Sequence, residues 1–338
     1  MSFSAVILAT WLATAVVAPP DGTIDGIVVN LSRDGRPAAE VEVELRAELD
    51  GELVPVARTR TDARGAFAFR GVPLDRTLTY VAGANRDGVQ YATSKFALGP
   101  ERRTAHVRLN VRDAETESNP LVLRRHDVVI EPAPGVLHVT EALLVDNPTA
   151  KTYVGKARGD APMPVTFELG IPTDFERLTF EEEFWGRSFA LVGGKVVASV
   201  PWEPGQRWVR FTYSARNEAA YRRWERAIDA PCERMSVRVK GSGGENIECS
   251  LPFDGEAGDR AVFAAAGQSL AAGDAVWVGL GDLPVSWTTY ARWAAVAVLA
   301  LTVASLTYWS RRRNKSARGS NAQLTSVHAQ RHQRRRAA

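Results

Sequence analysis

The sequence predicts an all-β protein, two tandem β-sandwiches followed by one transmembrane helix. Three observations carry this. From Thr23 to Arg112, short alternating runs are separated by turn residues about every 8–12 positions, the spacing of a sandwich. From Asn119 to Asp282 a second block alternates in the same way. Residues 287–309, WTTYARWAAVAVLALTVASLTYW, show no polar helix face and are followed at once by RRRNK. The chain of 338 residues has room for about two domains.

In the first block, GTIDGIVVNLS leads into the turn RDGRPA, then VEVELRAEL, the turn DGE, LVPVARTR, the turn TDARG and AFAFRGVPL. TLTYVAGANR, DG, VQYATSKFAL, GPE and RTAHVRLNVRD follow, giving seven strands. In the stretch Thr61 to Leu74, Asp62 and Gly65 can close a tight turn, with Gly65 free to take positive φ. Phe67 and Phe69 then share one face, the core, while Ala68 and Arg70 point away.

Three motifs in this block, Gly26 to Val29, Gly35 to Val43 and Thr61 to Pro73, resemble those of carboxypeptidase regulatory-like, transthyretin-like domains over about 90 residues. The resemblance implies a transthyretin-like or immunoglobulin-like sandwich at 19–112. It also implies an accessory module without a catalytic centre, of the kind used in adhesion, surface presentation or support of a neighbouring domain. The stretch TEALLVDNPTAKTYVG followed by VTFELGIP is similar to exported bacterial domains that lie between such a module and a terminal membrane helix.

Residues 113–119, DAETESN, read as a short interdomain linker. In the second block, at 120–283, Leu121 to Glu131 and Val136 to Asp146 are strands joined across PAPG. Gly193-Gly194 reads as a hairpin turn and Pro204-Gly205 as another. Ala219 to Ile228 is ambiguous, since Tyr221, Trp224 and Ile228 fit a helix face and Trp224, Arg226 and Ile228 fit a strand; the β neighbours favour strand. Cys232 and Cys249 are the only cysteines. The runs MSVRVK and ENIECSL, separated by GSGG, predict a hairpin that brings them together as a disulfide in an oxidising compartment.

The chain ends predict location. Residues 3–18, FSAVILATWLATAVVA, end in small residues, and Ala13-Thr14-Ala15 fits a cleavage site, so 1–18 read as a signal peptide; no Lys or Arg precedes the run, which leaves an uncleaved anchor as the other reading. The apolar run at 287–309 has Trp287, Tyr290 and Trp293 at one end and Tyr308 and Trp309 at the other, as interfacial belts do. Arg311, Arg312, Arg313, Lys315 and Arg318 place the tail at 310–338 in the cytoplasm. The net charge of +3 includes nine Lys or Arg and no acid from Arg311 onward, so the remaining chain carries +3 less 9, or −6. The basic balance thus belongs to the tail and not to a nucleic-acid-binding surface. The reading is a single-pass cell-membrane protein with its ectodomain in the periplasm or outside the cell. Arg334 to Arg336 are candidates for contact with anionic lipid.

Candidate chemistry is sparse. His106 and His138 sit inside strand patterns, and no H-E-x-x-H or H-x-H spacing brings any His together. Glu181, Glu182 and Glu183 lack an EF-hand spacing and read as a solvated loop. Ser188 and Ser199 have no recognisable His and Asp partners, and no G-x-S-x-G or P-loop is present. No cofactor, metal ligand set or enzymatic activity is expected. The aromatics between Phe180 and Trp224 divide between core filling and a stacking or docking surface. Trp185 and Trp202, in loop-like settings, are the candidates for exposed binding residues. The expected function is a non-catalytic, membrane-anchored binding or scaffold protein that contacts a membrane-protein partner or an envelope polymer. The alternatives are a carbohydrate-binding surface module and an accessory subunit of an exporter or of a metal or haem maturation system.

Overall fold

The computed structural model describes residues 21–157, 164–181, 189–217, 221–241, 247–265, 267–281, 283, 287–288 and 290–309. The expected signal peptide, Trp185 and the basic tail lie outside the described residues. The chain is all-β with one apolar helix.

The first unit contains β1 (Gly22–Asn30), β2 (Arg36–Pro37), β3 (Glu42–Leu49), β4 (Glu52–Arg60), β5 (Ala66–Val72), β6 (Thr79–Arg86), β7 (Val89–Ala92), β8 (Phe96–Ala97) and β9 (Thr104–Val111). One sheet runs β2-β1-β5, with β9 parallel to β1; the other runs β4-β3-β6-β7, with β8 on β6. Their inward residues, among them Ile24, Val28, Leu45, Phe67, Tyr80 and Leu109, form one buried cluster. The turns Asp50-Gly51 and Asp87-Gly88 have positive φ at both residues (52° and 85°, 53° and 83°), the two-residue hairpin geometry that matches strand twist.

The turn before Phe67 is held from both sides. Asp62 Oδ1 accepts hydrogen bonds from the N–H groups of Arg64 and Ala66, both at 2.8 Å, and Gly65 N–H donates to the Asp62 carbonyl at 2.9 Å. Gly65 has φ of 73°, and a Cβ there would lie 2.6 Å from the Val28 carbonyl oxygen. Phe67 and Phe69 point into the core with ring centroids 5.8 Å apart, edge to face. The Phe67 ring lies over Gly26, where a Cβ would be 2.2 Å from Cζ, so the glycine in the first motif makes room for the aromatic in the third.

The second unit contains β10 (Ala114–Glu115), β11 (Val122–Ala133), β12 (Val136–Asn147), β13 (Thr152–Tyr153), β14 (Phe167–Leu169), β15 (Phe175–Phe180), β16 (Phe189–Val192), β17 (Lys195–Ala198), β18 (Gly205–Arg216), β19 (Arg222–Ala227), β20 (Met235–Lys240), β21 (Ile247–Cys249), β22 (Phe253–Ala257), β23 (Arg260–Ala264) and β24 (Ala275–Leu280). A seven-stranded sheet, β15-β18-β12-β11-β20-β23-β22, packs against two three-stranded sheets, β14-β17-β16 and β19-β24-β21. Inward residues from all three sheets form a second buried cluster, separate from the first.

Several local expectations are settled here. The β11–β12 hairpin turns at Ala133 and Val136, and β16–β17 turns at Gly193-Gly194. Within the ambiguous segment, Arg222–Ala227 is strand β19, which buries Trp224 and Arg226 in phase. Pro204-Gly205 is not a hairpin turn: β17 pairs with β14 and β16, whereas β18 pairs with β12 and β15. The cysteine hairpin is also corrected, because β20 pairs with β11 and β23 while β21 crosses to the other layer and pairs with β24.

The helix α1 (Tyr290–Trp309) is 20 residues long with none of it buried, and is long and apolar enough to cross a membrane. Its length is about 30 Å, the thickness of a bilayer core. The hydroxyls of Thr302 and Thr307 donate to the carbonyls of Val298 and Val303 at 2.7 and 3.0 Å, so neither is left without a bond on an apolar helix.

Gly65→Ala is expected to destabilise the protein by more than the ~1–2 kcal/mol of a left-handed L-residue alone, because its Cβ also meets backbone. Gly51→Ala, with nothing within 4 Å of its Cβ, should show only the conformational cost. Denaturant unfolding of both variants in detergent checks the order.

Candidate functional site

The second core contains a cluster of charges. Along β12 the inward phase is Leu137, Val139, Glu141, Leu143 and Val145, and Glu141 is fully buried. His126 on β11, Tyr213 on β18, and Trp224 and Arg226 on β19 point at the same place, and all are buried. Arg226 Nε donates to Glu141 Oε2 at 3.1 Å, and its terminal nitrogens donate to Asp229 at 3.2 and 2.5 Å. The Tyr213 hydroxyl donates to Glu141 Oε1 at 3.0 Å and accepts from Trp224 Nε1 at 2.8 Å. His126 Nε2 lies 2.9 Å from Glu141 Oε2. Asp229 also accepts from the Gly170 N–H at 2.8 Å.

Burial pushes the Glu141 carboxyl up, but the Arg226 guanidinium, then the hydrogen bonds from His126 and Tyr213, outweigh it and hold it at about 2. Burial opposes the Arg226 charge, and Glu141 and Asp229 more than offset that, so the guanidinium is held charged. Burial, helped by the Glu141 charge, pushes the Tyr213 phenol well above its ordinary range. The carboxylates, guanidinium and phenol thus satisfy one another inside the core. Only His126 Nδ1 has no hydrogen-bond partner among the described residues of this cluster.

A second polar cluster joins the two units. Asp113 accepts from Asn30 Nδ2 at 2.7 Å, Arg33 Nε at 2.8 Å and Arg86 Nη2 at 2.8 Å. Burial raises its carboxyl, and these donors outweigh the burial and keep it below the ordinary value. The Tyr91 hydroxyl lies 2.7 Å from Thr152 Oγ1 in a buried contact. Within 113–119, Ala114–Glu115 form β10, which runs parallel to β13. Beside this junction is a cleft of about 630 Å³. Its charged lining is paired, Lys156 with Glu117, Lys195 with Glu168, and Asp229 with Arg226.

Of the sequence-predicted binding residues, Trp185 lies outside the described residues. Trp202 is not exposed: it is 1% exposed, packs on Phe167 at 5.6 Å between ring centroids, and has Arg207 over its ring at 5.2 Å. The isolated bridge Tyr153–Trp202 places it in the core, because the chain before β18 crosses inward to close the sandwich. Cys232 and Cys249 are free thiols. Cys232 pairs with Leu123 and Leu270, and Cys249 with Val278 inside β24, so no shared hairpin brings the sulfurs together. Burial pushes the Cys232 thiol up to about 11. His106 and His138 are on strands β9 and β12, with exposed side chains. Among the described residues no group of three or more His, Cys, Asp or Glu is placed to hold a metal ion.

Exposed apolar surface occurs instead on the β3–β4 hairpin, where Leu49, Leu53, Val54 and Val56 are 38–53% exposed. Strand β4 is a sheet edge. Pro55 lies in it, and its pairing with β3 shifts register beside Pro55.

No family model and no curated protein matches this chain. Among solved structures, an M1 zinc metallopeptidase from Deinococcus radiodurans is similar at 13% identity and a TM-score of 0.30, over 48% of this chain and 42% of that one. The major pilin SpaA of Corynebacterium diphtheriae is similar at 10% identity and a TM-score of 0.21, over 60% of this chain and 61% of that one. The chain spans less than half the length of the metallopeptidase and under two thirds of the pilin. At these TM-scores neither likeness carries an argument about activity.

Glu141→Gln is expected to cost roughly 3–5 kcal/mol by leaving Arg226 short of a counter-charge in the core. A carboxyl held below its ordinary value contributes stability that is present above about 4.5 and is lost as pH falls towards about 2. Denaturant midpoints measured across that window should fall for the parent and show a shallower fall for the variant.

Proposed function

We propose that this chain is a non-catalytic, membrane-anchored binding or scaffold protein whose first unit is a carboxypeptidase regulatory-like, transthyretin-like sandwich held outside the cytoplasm. The β3–β4 hairpin carries the reading. Leu53, Val54 and Val56 on the edge strand, with Leu49 at the end of β3 beside them, are exposed, a feature that marks a contact surface or an aggregation hazard. The edge is guarded against open-ended strand addition, since Pro55 has no N–H to give, the register breaks beside it, and Arg58 and Arg60 follow. Docking of side chains onto a partner surface fits such an edge better than extension of the sheet.

Support for the family reading is local. The three motifs supply the turn at Asp62 and Gly65, the close approach of Phe67 to Gly26, and the inward alternation of β3. Support for a non-catalytic role is the pairing of Glu141 and Asp229 with Arg226, and of the other charges that line the junction cleft with one another. A partner-protein ectodomain or an envelope polymer fits the hairpin. A sugar-stacking module is less favoured. Each described Trp of the second sandwich is either buried, as Trp202 and Trp224 are, or has a guanidinium over its ring, as Trp208 has from Arg210 and Trp277 from Arg223.

The test is crosslinking of the full-length protein in its native membrane, followed by identification of what is captured. Leu53→Asp with Val56→Asp should abolish capture while changing stability by only about 0.5 kcal/mol per exposed site. Trp202→Ala should lower stability by several kcal/mol, as loss of a core aromatic does. Undiminished capture by the folded double variant would remove the hairpin from the reading.

A further inference from the structure

The chain passes from the second core to the apolar helix over a short distance. Leu283 belongs to the second core, and the helix opens at Tyr290. Six residues lie between the two, a distance of seven Cα steps. They reach about 25 Å at full stretch and about 10 Å if helical. Whichever end of the sandwich carries Leu280 and Leu283 is therefore tied close to the start of the helix.

The register identifies that end. Leu280 lies opposite Arg222 and Ile247. Arg216, at the end of β18, lies opposite Val136 at the β11–β12 turn. Lys240 lies opposite Arg260, which is bonded to Glu131. The junction with the first unit is at the other end: Asn147 lies opposite Gly205, Ala227 opposite Ala275, and Thr152 N–H donates to the Asp113 carbonyl. In the first unit Asn30, Arg86 and Val111 face this junction. Strands β3 and β6 are antiparallel, Val43 opposite Ala84 and Glu48 opposite Thr79. The β3–β4 turn is therefore at the end remote from the junction.

We propose that the second sandwich stands on its Leu280 end against the lipid headgroups and holds the first sandwich, with the β3–β4 hairpin outermost, away from the bilayer. The twelve residues of β12 span up to about 40 Å. The nine of β1 add up to about 30 Å. The standing end exposes Tyr221, Pro134 and Lys240. Three arginines there pair across it, Arg216 with Glu176, Arg222 with Asp174 and Arg260 with Glu131. Such an end suits a zwitterionic headgroup layer and has no requirement for anionic lipid. The hairpin's partner is then one that offers a surface several nanometres above the membrane, not one confined within it. The orientation rests on the reading of the helix as a membrane span.

The experiment uses the full chain in phosphatidylcholine vesicles that carry a headgroup-attached quencher. A thiol dye is placed in turn at Lys240→Cys, Glu203→Cys and Glu52→Cys, with the labelled parent as the blank for Cys232 and Cys249. Quenching is expected to be several-fold stronger at 240 than at 203, and absent at 52. Equal quenching at 52 and 240 would mean that the ectodomain lies flat, and would overturn the proposal. A flexible Gly-Ser insertion between Leu283 and Trp287 should weaken quenching at 240. Unchanged quenching there would show that the short tether does not set the orientation. Failure of the protein to float with the vesicles would remove the span itself, an outcome distinct from a spanning protein whose sites are quenched in the wrong order.

Discussion

The buried guanidinium of Arg226 is the constraint on which the second sandwich is built. A cation without water is tolerated only when opposite charge and hydrogen-bond acceptors surround it. Glu141 supplies these from the seven-stranded sheet and Asp229 from the chain just beyond β19. Because Asp229 also takes the Gly170 N–H at the end of β14, one ionic cluster touches all three sheets. The Trp224–Tyr213–Glu141 chain of hydrogen bonds crosses between the same layers. A one-residue slip of β12 would turn Glu141 to the surface and leave the guanidinium with Asp229 as its one carboxylate, so the cluster penalises the commonest error of a long antiparallel pair. Leu137, Val139, Leu143 and Val145 provide the burial, and the charges fix which residue faces which.

That rigidity extends to the junction by a similar device. Asp113 gathers three donors from the first unit, and its own N–H and carbonyl bond to Ser32 and Thr152. Ser32 Oγ donates to the Ala150 carbonyl at 2.8 Å. Tyr91 and Thr152 close a buried hydroxyl pair beside it. A connection with this many short bonds on both sides transmits orientation, whereas a flexible linker of the same length would average it. The first unit is therefore held at a defined end of the second.

The strands were legible because they are short, alternate cleanly and are bounded by residues with specific turn geometry. Asp50-Gly51, Asp62 to Gly65 and Gly193-Gly194 are examples. Partner strands were less legible, since alternation states which face a residue occupies but not which strand lies beside it. MSVRVK and ENIEC look like a hairpin by spacing, yet the chain between them changes layers. Trp202 was misplaced for a related reason: a Pro-flanked aromatic looks like a loop until a bridge to Tyr153 folds it inward. The ionic cluster did leave a trace that spacing arguments passed over. Glu141, His126 and Arg226 each occupy the apolar phase of an alternating strand, where a charged residue is out of place. A carboxylate, a guanidinium and an imidazole in that phase on three strands are a signal of a shared buried site.

The distribution of polarity over the molecule then bears on what it does. An active site gathers polar groups at a cavity and leaves some capacity unfilled for substrate. In this chain the carboxylates and the guanidinium of the buried cluster are saturated by one another, and the charges around the junction cleft are paired. Exposed apolar side chains stand on a guarded strand edge. A polar interior that fixes shape and an apolar hairpin at the far end of that shape make mechanical sense together. A flexible body would spread the hairpin over a volume and charge the ordering entropy to every encounter. A body locked by Arg226 and Asp113 has already met that cost in folding, so under the proposed scaffold role the hairpin would meet a partner pre-positioned.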